Sequence, residues 1–74
     1  MSATVSEPVL ERTLVHEIVR RTHRRVRNLT VEFREGVVIL RGETSSFHVK
    51  QLALHAVREI MPFSPVRNGI RVES

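Results

Sequence analysis

"GVVILRGETSSF", residues 36–47, can be read in two ways, and the choice decides the fold. A phosphate-binding loop would need Gly, four residues, then Gly-Lys-Ser/Thr, so that backbone N–H groups and a lysine surround the phosphates. Five residues separate Gly36 from Gly42, and the lysine position holds Glu43, which would repel a phosphate. Between the glycines, Val37, Val38 and Ile39 are β-branched and Leu40 follows. That composition is a strand, not a loop. The glycines therefore bracket a strand. Gly36 serves a reversal that needs φ > 0, and Gly42 stands where the chain bends toward a helix. Thr44 or Ser45 is the expected cap of that helix, over about residues 46–61.

Upstream, Leu29, Val31 and Phe33 alternate with Thr30, Glu32 and Arg34, the period-two pattern of a half-buried strand. With "REG" as the reversal, this strand and the next form a hairpin in which Val38 and Leu40 continue the buried side. Further upstream, Leu14, Val15, Ile18, Val19, Thr22 and Val26 share one face at roughly 100° per residue. The spacing predicts an amphipathic helix over residues 8–27, with Ser6 as N-cap, Glu7 and Pro8 in its first turn, and residues 1–5 as a loose tail. Downstream, Val49, Leu52, Ala53, Ala56, Val57 and Ile60 form the core face of the second helix. Pro62 and Pro65 punctuate a connector, and a last strand follows over residues 66–73. The order is αββαβ in one domain spanning residues 1–74. The expected class is α+β, a two-layer sandwich with two helices on one face of a three-stranded mixed sheet. The expected core includes Val31, Phe33, Val38, Leu40, Leu52, Ala56, Val66, Ile70 and Val72.

The chain of 74 residues has no cysteine, so no disulfide or thiolate metal site supports it. No apolar run approaches the ~20 residues of a membrane span. The first residues lack a basic start followed by an apolar block, so no secretory signal is seen. As written, the chain is expected in the cytoplasm, peripheral at a membrane where it docks; a signal trimmed beforehand would place it in the periplasm.

Twelve basic residues oppose eight acidic ones, a formal charge of +4. Eleven of the basic residues are arginine, whose planar fork pairs two-pronged with phosphate. Such an excess suits an anionic partner, either nucleic acid or a membrane surface, and equally a soluble surface of mixed charge. Five arginines crowd into "RRTHRRVRN", residues 20–28. On the expected helix, Arg20, Arg24 and Arg27 share the solvent face with His16 and His23, and Arg21 and Arg25 lie on its flank. Cations near a helix C-terminus interact well with its macrodipole, and Glu17 can pair with Arg20 or Arg21. Two arginines would suffice for that, which leaves an anionic-surface role open for the set.

The open sheet face is expected to carry Thr30, Glu32, Arg34, Val37, Ile39, Arg41, Arg67 and Arg71. Its arginines around two aliphatic residues suit an interface, or an ordinary face with arginine stems lying over Val37 and Ile39. Phe47, Leu54 and Met61 recur every seven residues off the core stripe, as a dimer seam would, or as residues that a loop such as "MPFSP" covers. The histidines at 16, 23, 48 and 55 form pairs seven apart, about 10.5 Å along a helix and too far for one metal ion. His55 and Glu59 offer two ligands, too few for a site. With no aspartate, cysteine or tyrosine and no pocket-forming carboxylate pair, neither catalysis, metal, cofactor nor a small-molecule substrate is expected.

Residues 29–60 and the ending "VRNGIRV" resemble the BON domain, named for bacterial osmotic-stress and nodulation proteins. The resemblance rests on V-x-F-x-x-G-x-V-x-L-x-G at residues 31–42, alanines at 53 and 56, and V-x-N-x-I-x-V at residues 66–72. It departs at "PFSP", where many members carry Gly-Val. The resemblance implies an αββαβ fold with the second strand central, and a binding module for phospholipid or membrane surfaces, not an enzyme. Many members are exported and carry tandem copies; this is a single copy. The family brings no ligand motif to transfer. Nucleic-acid binding remains the alternative, weakened because the sheet lacks base-stacking aromatics and no GxxG clamp appears. A protein-interaction or homo-oligomeric module is the third reading.

Overall fold

A computed structural model describes residues 7–73. The expected cap Ser6 and the tail at residues 1–5 lie outside them. The elements follow in the order α1 (Glu7–Thr22), β1 (Arg27–Arg34), β2 (Val37–Thr44), α2 (Phe47–Ile60) and β3 (Val66–Val72). The sheet order is β1-β2-β3, so β2 is central. It pairs antiparallel with β1 and parallel with β3, which gives the mixed α+β sheet expected from the pattern.

The hairpin turn is tighter than the sequence suggested. Arg34 pairs with Val37, leaving a two-residue loop in which Glu35 (φ 52°) and Gly36 (φ 80°) both take the left-handed region. Two consecutive positive φ values are the mark of a type I′ turn, whose twist matches that of the flanking strands. At the other end of the hairpin the β1–β2 register shifts between Arg27 and Thr30, and Asn28 has φ 54°. This is bulge geometry, and it lets β1 begin at Arg27, two residues before the alternation becomes visible in sequence.

The core joins Leu14 and Ile18 of α1, Val31 of β1, Val38 and Leu40 of β2, Val49, Ala53, Ala56 and Val57 of α2, and Ile70 of β3. The alternation of Val38 and Leu40 inward fixes the register of the central strand, since a one-residue slip would turn both to solvent. Phe33, Val66, Ile60 and Met61 are half-buried against this cluster. Two expected core residues differ. Leu52 is only half-buried, because Val49, Ala53, Ala56 and Val57 take the face turned to the sheet. Val72 is 42% exposed, because it is the last residue of an edge strand.

The cap of α2 is Ser46, not Thr44 or Ser45. Ser46 has extended backbone and its hydroxyl accepts the Val49 N–H at 3.3 Å. Thr44 is instead buried as the last residue of β2, and its hydroxyl accepts the Ser46 N–H.

Both outer strands have an N–H answered by a side chain. Phe33 donates its backbone N–H to Glu11 of α1 at 3.1 Å. In β3, Asn68 Oδ1 accepts the Ile70 N–H, while its Nδ2 donates to the Lys50 carbonyl of α2.

Candidate functional site

α1 stops at Thr22, five residues before the periodicity predicts. The buried Thr22 hydroxyl donates back to the Ile18 carbonyl at 2.7 Å. The helix then closes by a Schellman arrangement, with Arg24 N–H donating to the Val19 carbonyl at 3.0 Å and His23 N–H to the Arg20 carbonyl. Glycine is usual at the first position of such a closure. His23 (φ 55°) and Arg24 (φ 62°) occupy left-handed backbone instead, at a cost of roughly 1–2 kcal/mol each. The turn is held from the far side by Val26, which is buried against the core from the loop and not from a helix.

This changes where the five arginines stand. Arg20 and Arg21 are on the last turn of α1, Arg24 and Arg25 are in the connecting turn, and Arg27 opens β1. They do not share one helical face, because the chain leaves the helical path after Thr22. The turn instead brings four of them, all but Arg21, to two neighbouring clefts. His16, Val19, Arg20, His23 and Arg24 line one cleft, and Arg24, Arg25, Arg27 and Ser45 line a second. Ser45 was not visible as a member of this group. The hairpin brings it there, because the end of β2 lies beside the start of β1, and the pairing of Arg27 with Glu43 fixes that neighbourhood.

Ion pairs divide the arginines further. Glu17 accepts hydrogen bonds from Arg20 and from Arg21, the latter at 3.1 Å, and Arg21 also bridges to Glu59 of α2. The Arg20 bond, then that of Arg21, holds the Glu17 carboxyl below the usual glutamate range. Arg21 does the same to Glu59. At the end of the sheet, Arg27 pairs with Glu73 at 2.8 Å, and Arg71 lies 3.5 Å from Glu43 and 3.7 Å from Glu73. Asn28 donates to Glu43 at 2.9 Å and, with Arg71, lowers its pKa. Arg24 and Arg25 are exposed and pair with no acid among the described residues.

No family model, curated protein or solved structure matches the chain. Its function is therefore read from its own residues.

The open sheet face is arranged as the alternation predicts. Ile39 stands between Glu32 and Arg67, Arg41 between Thr30 and Gly69, and Glu43 beside Arg71. Val37 and Ile39 are half-buried, while Arg41, Arg67 and Arg71 are exposed. Arg71 is drawn into the pairs with Glu43 and Glu73, whereas Arg41 and Arg67 have no acidic partner among the described residues. Arg34 Nε lies 3.7 Å from Glu32 Oε1, which is covered and accepts no hydrogen bond. The seven-residue stripe does not hold together as a seam. Phe47 is 61% exposed, Leu54 is half-buried, and Met61 has left the helix as the C-cap of α2 and packs against the core. Nor does the connector cover the stripe with its own aromatic ring, since Phe63 is 97% exposed.

Among the described residues no three His, Cys, Asp or Glu side chains come together as a metal site would require, and no helix is long and apolar enough to cross a membrane.

Proposed function

We propose that this chain is a non-catalytic binding module of BON type that docks on anionic phospholipid surfaces through its arginine-rich segment, residues 20–27. The observation that carries the reading is the pair Arg24 and Arg25: exposed, without an acidic partner among the described residues, and converging with Arg27 and Ser45 on one cleft. Two apolar residues support it. Phe47 follows Ser45 by two positions, and Val72 pairs with Thr44, so both exposed side chains belong to the same end of the molecule. Guanidinium groups beside an exposed ring and a valine suit a surface that is charged outside and apolar beneath.

The docking energy is mainly electrostatic, at about 1 kcal/mol per basic residue near an acidic bilayer. Replacing Arg24 and Arg25 together with glutamine removes about 2 kcal/mol, a loss of roughly thirtyfold in affinity. Arg20 and Arg27 are poorer targets, because each is already paired with a carboxylate, Glu17 and Glu73. The test is co-sedimentation with anionic and neutral vesicles at two salt concentrations, with a short RNA titrated in parallel. The parent is expected to bind the anionic vesicles and to weaken with salt. The double variant is expected to lose that binding, and Arg41→Gln with Arg67→Gln to keep it. Nucleic-acid binding is the second reading, favoured by Arg41 and Arg67, which lie beside Ile39 and have no acidic partner among the described residues. Binding to RNA but not to vesicles, lost on changing that second pair, would establish it instead. If neither ligand binds while dilution changes the apparent mass, the chain is an interaction module.

A further inference from the structure

We propose that the cleft between the α1–β1 turn and Ser45 seats a single phosphate monoester group and prefers it to a phosphate diester. The inference rests on the anionic docking reading and names the chemical group that reading leaves open. Its basis is a count of charge and donors in one place. Of the three arginines lining the cleft, Arg27 is already matched by Glu73 at 2.8 Å. Arg24 and Arg25 have no acidic counterpart among the described residues, so the cleft carries close to two uncompensated positive charges. A phosphate monoester carries about −1.5 to −2 at neutral pH and offers three terminal oxygens. A diester carries one charge and two such oxygens, and would leave one guanidinium unanswered.

The donors suit the group as well as the charge does. Each guanidinium presents a planar fork that can engage two oxygens at once. The Ser45 hydroxyl is exposed and makes no hydrogen bond among the described residues, so it is free to donate to the third oxygen. Ser46 cannot do this, because its hydroxyl is committed to the Val49 N–H. No acidic residue in the first turn of α2 opposes an anion there. The neighbouring cleft, lined by His16, Val19, Arg20, His23 and the shared Arg24, is a poorer seat. Its other arginine, Arg20, is already held by Glu17, so only Arg24 is left to answer an anion there.

The experiment uses two probes free in solution and two on a bilayer. Amide shifts of the full chain are followed by NMR during titration with methyl phosphate and with dimethyl phosphate, above the monoester's second pKa of about 6. Methyl phosphate is expected to saturate shifts at Arg24, Arg25, Ser45 and Ser46 at a concentration at least about tenfold below any effect of dimethyl phosphate. Arg24→Gln with Arg25→Gln should abolish the saturation, Ser45→Ala should weaken it, and Arg41→Gln with Arg67→Gln should leave it intact. Vesicles containing phosphatidic acid or phosphatidylglycerol at equal surface charge then separate a lipid headgroup from a free phosphate as the source. Tighter binding to phosphatidic acid, lost in the double variant, supports a lipid source. Saturation by methyl phosphate with no vesicle binding supports the seat with a free phosphate as its source, and refutes the docking reading alone. Equal response to the two soluble phosphates, or shifts centred on another surface, overturns the seat even where both vesicle types bind and docking stands.

Discussion

Gly42→Ala asks whether the end of β2 is closed against the turn that carries the arginines. A Cβ at this position would lie 2.8 Å from Val26 Cγ1, 2.9 Å from the Arg27 carbonyl oxygen and 3.4 Å from Leu29 Cα. The valine methyl can rotate away, but the Arg27 carbonyl belongs to the bulge and cannot move without shifting the start of β1. Forcing extra volume into such a place costs about 1–3 kcal/mol. The backbone adds to this, since φ is +155° and side chains rarely adopt that region; the strain is of order 1–3 kcal/mol. Together the loss is about 2–6 kcal/mol, a large part of the roughly 4–11 kcal/mol that a domain of this length holds. Gly36→Ala is the internal control. It shares the left-handed backbone, with φ +80°, but its Cβ would meet nothing within 4 Å, so it should lose only about 1–2 kcal/mol. Urea unfolding followed by circular dichroism measures both, with m of about 1 kcal/mol/M for a chain this small. The midpoint should fall by at least about 2 M for Gly42→Ala, and by clearly less for Gly36→Ala. If Gly42→Ala unfolds with the parent, or after Gly36→Ala, the close approach of β2 to Val26 and Arg27 is wrong.

His23→Gly should stabilise the domain by about 1 kcal/mol in the same assay, because glycine removes the left-handed strain at the closure of α1; a loss of stability would show that the imidazole itself holds the turn. The pH dependence follows from Glu17, Glu43 and Glu59, whose carboxyls are all lowered by arginine or asparagine donors. A carboxyl whose folded pKa lies below its unfolded value contributes stability above the unfolded value, and that contribution fades as pH falls through the folded one. The thermal midpoint should therefore be level between about pH 5 and 8 and decline below the ordinary glutamate value of about 4.3, shallowly because these pairs sit at the surface. A midpoint that rises on acidification would contradict the pairing.

The order of elements was legible because each strand buries one face, so Val31, Val38 and Leu40 announce themselves by alternation. The end of α1 was not legible, for a specific reason. Val26 falls one helical step beyond Thr22, and no glycine or proline marks the stop, because His23 takes the place of the usual glycine. A residue buried from a loop then looks the same as one buried from a helix. The arginine cluster was visible in the sequence, but its geometry was not. Arg27 and Glu73 are 46 residues apart, and Arg21 meets Glu59 only once α1 and α2 are packed. Which arginines remain unmatched is thus a tertiary property. Ser45 joined the group through the hairpin register, and the exposure of Val72 follows from its place at the end of an outer strand.

The guarded N–H groups of the two outer strands bear on how copies of this domain behave when crowded. A three-stranded sheet has two raw edges, and each is a template on which another chain can add a strand. Glu11 occupies the donor of Phe33, and Asn68 occupies that of Ile70 while anchoring itself to α2. An incoming strand would have to displace a carboxylate to bond the Phe33 N–H on one side, and a tethered amide to bond the Ile70 N–H on the other. An added ladder is thereby interrupted at one donor on each edge. Copies brought together on one surface can lie side by side without fusing their sheets, and contact between them is left to side chains.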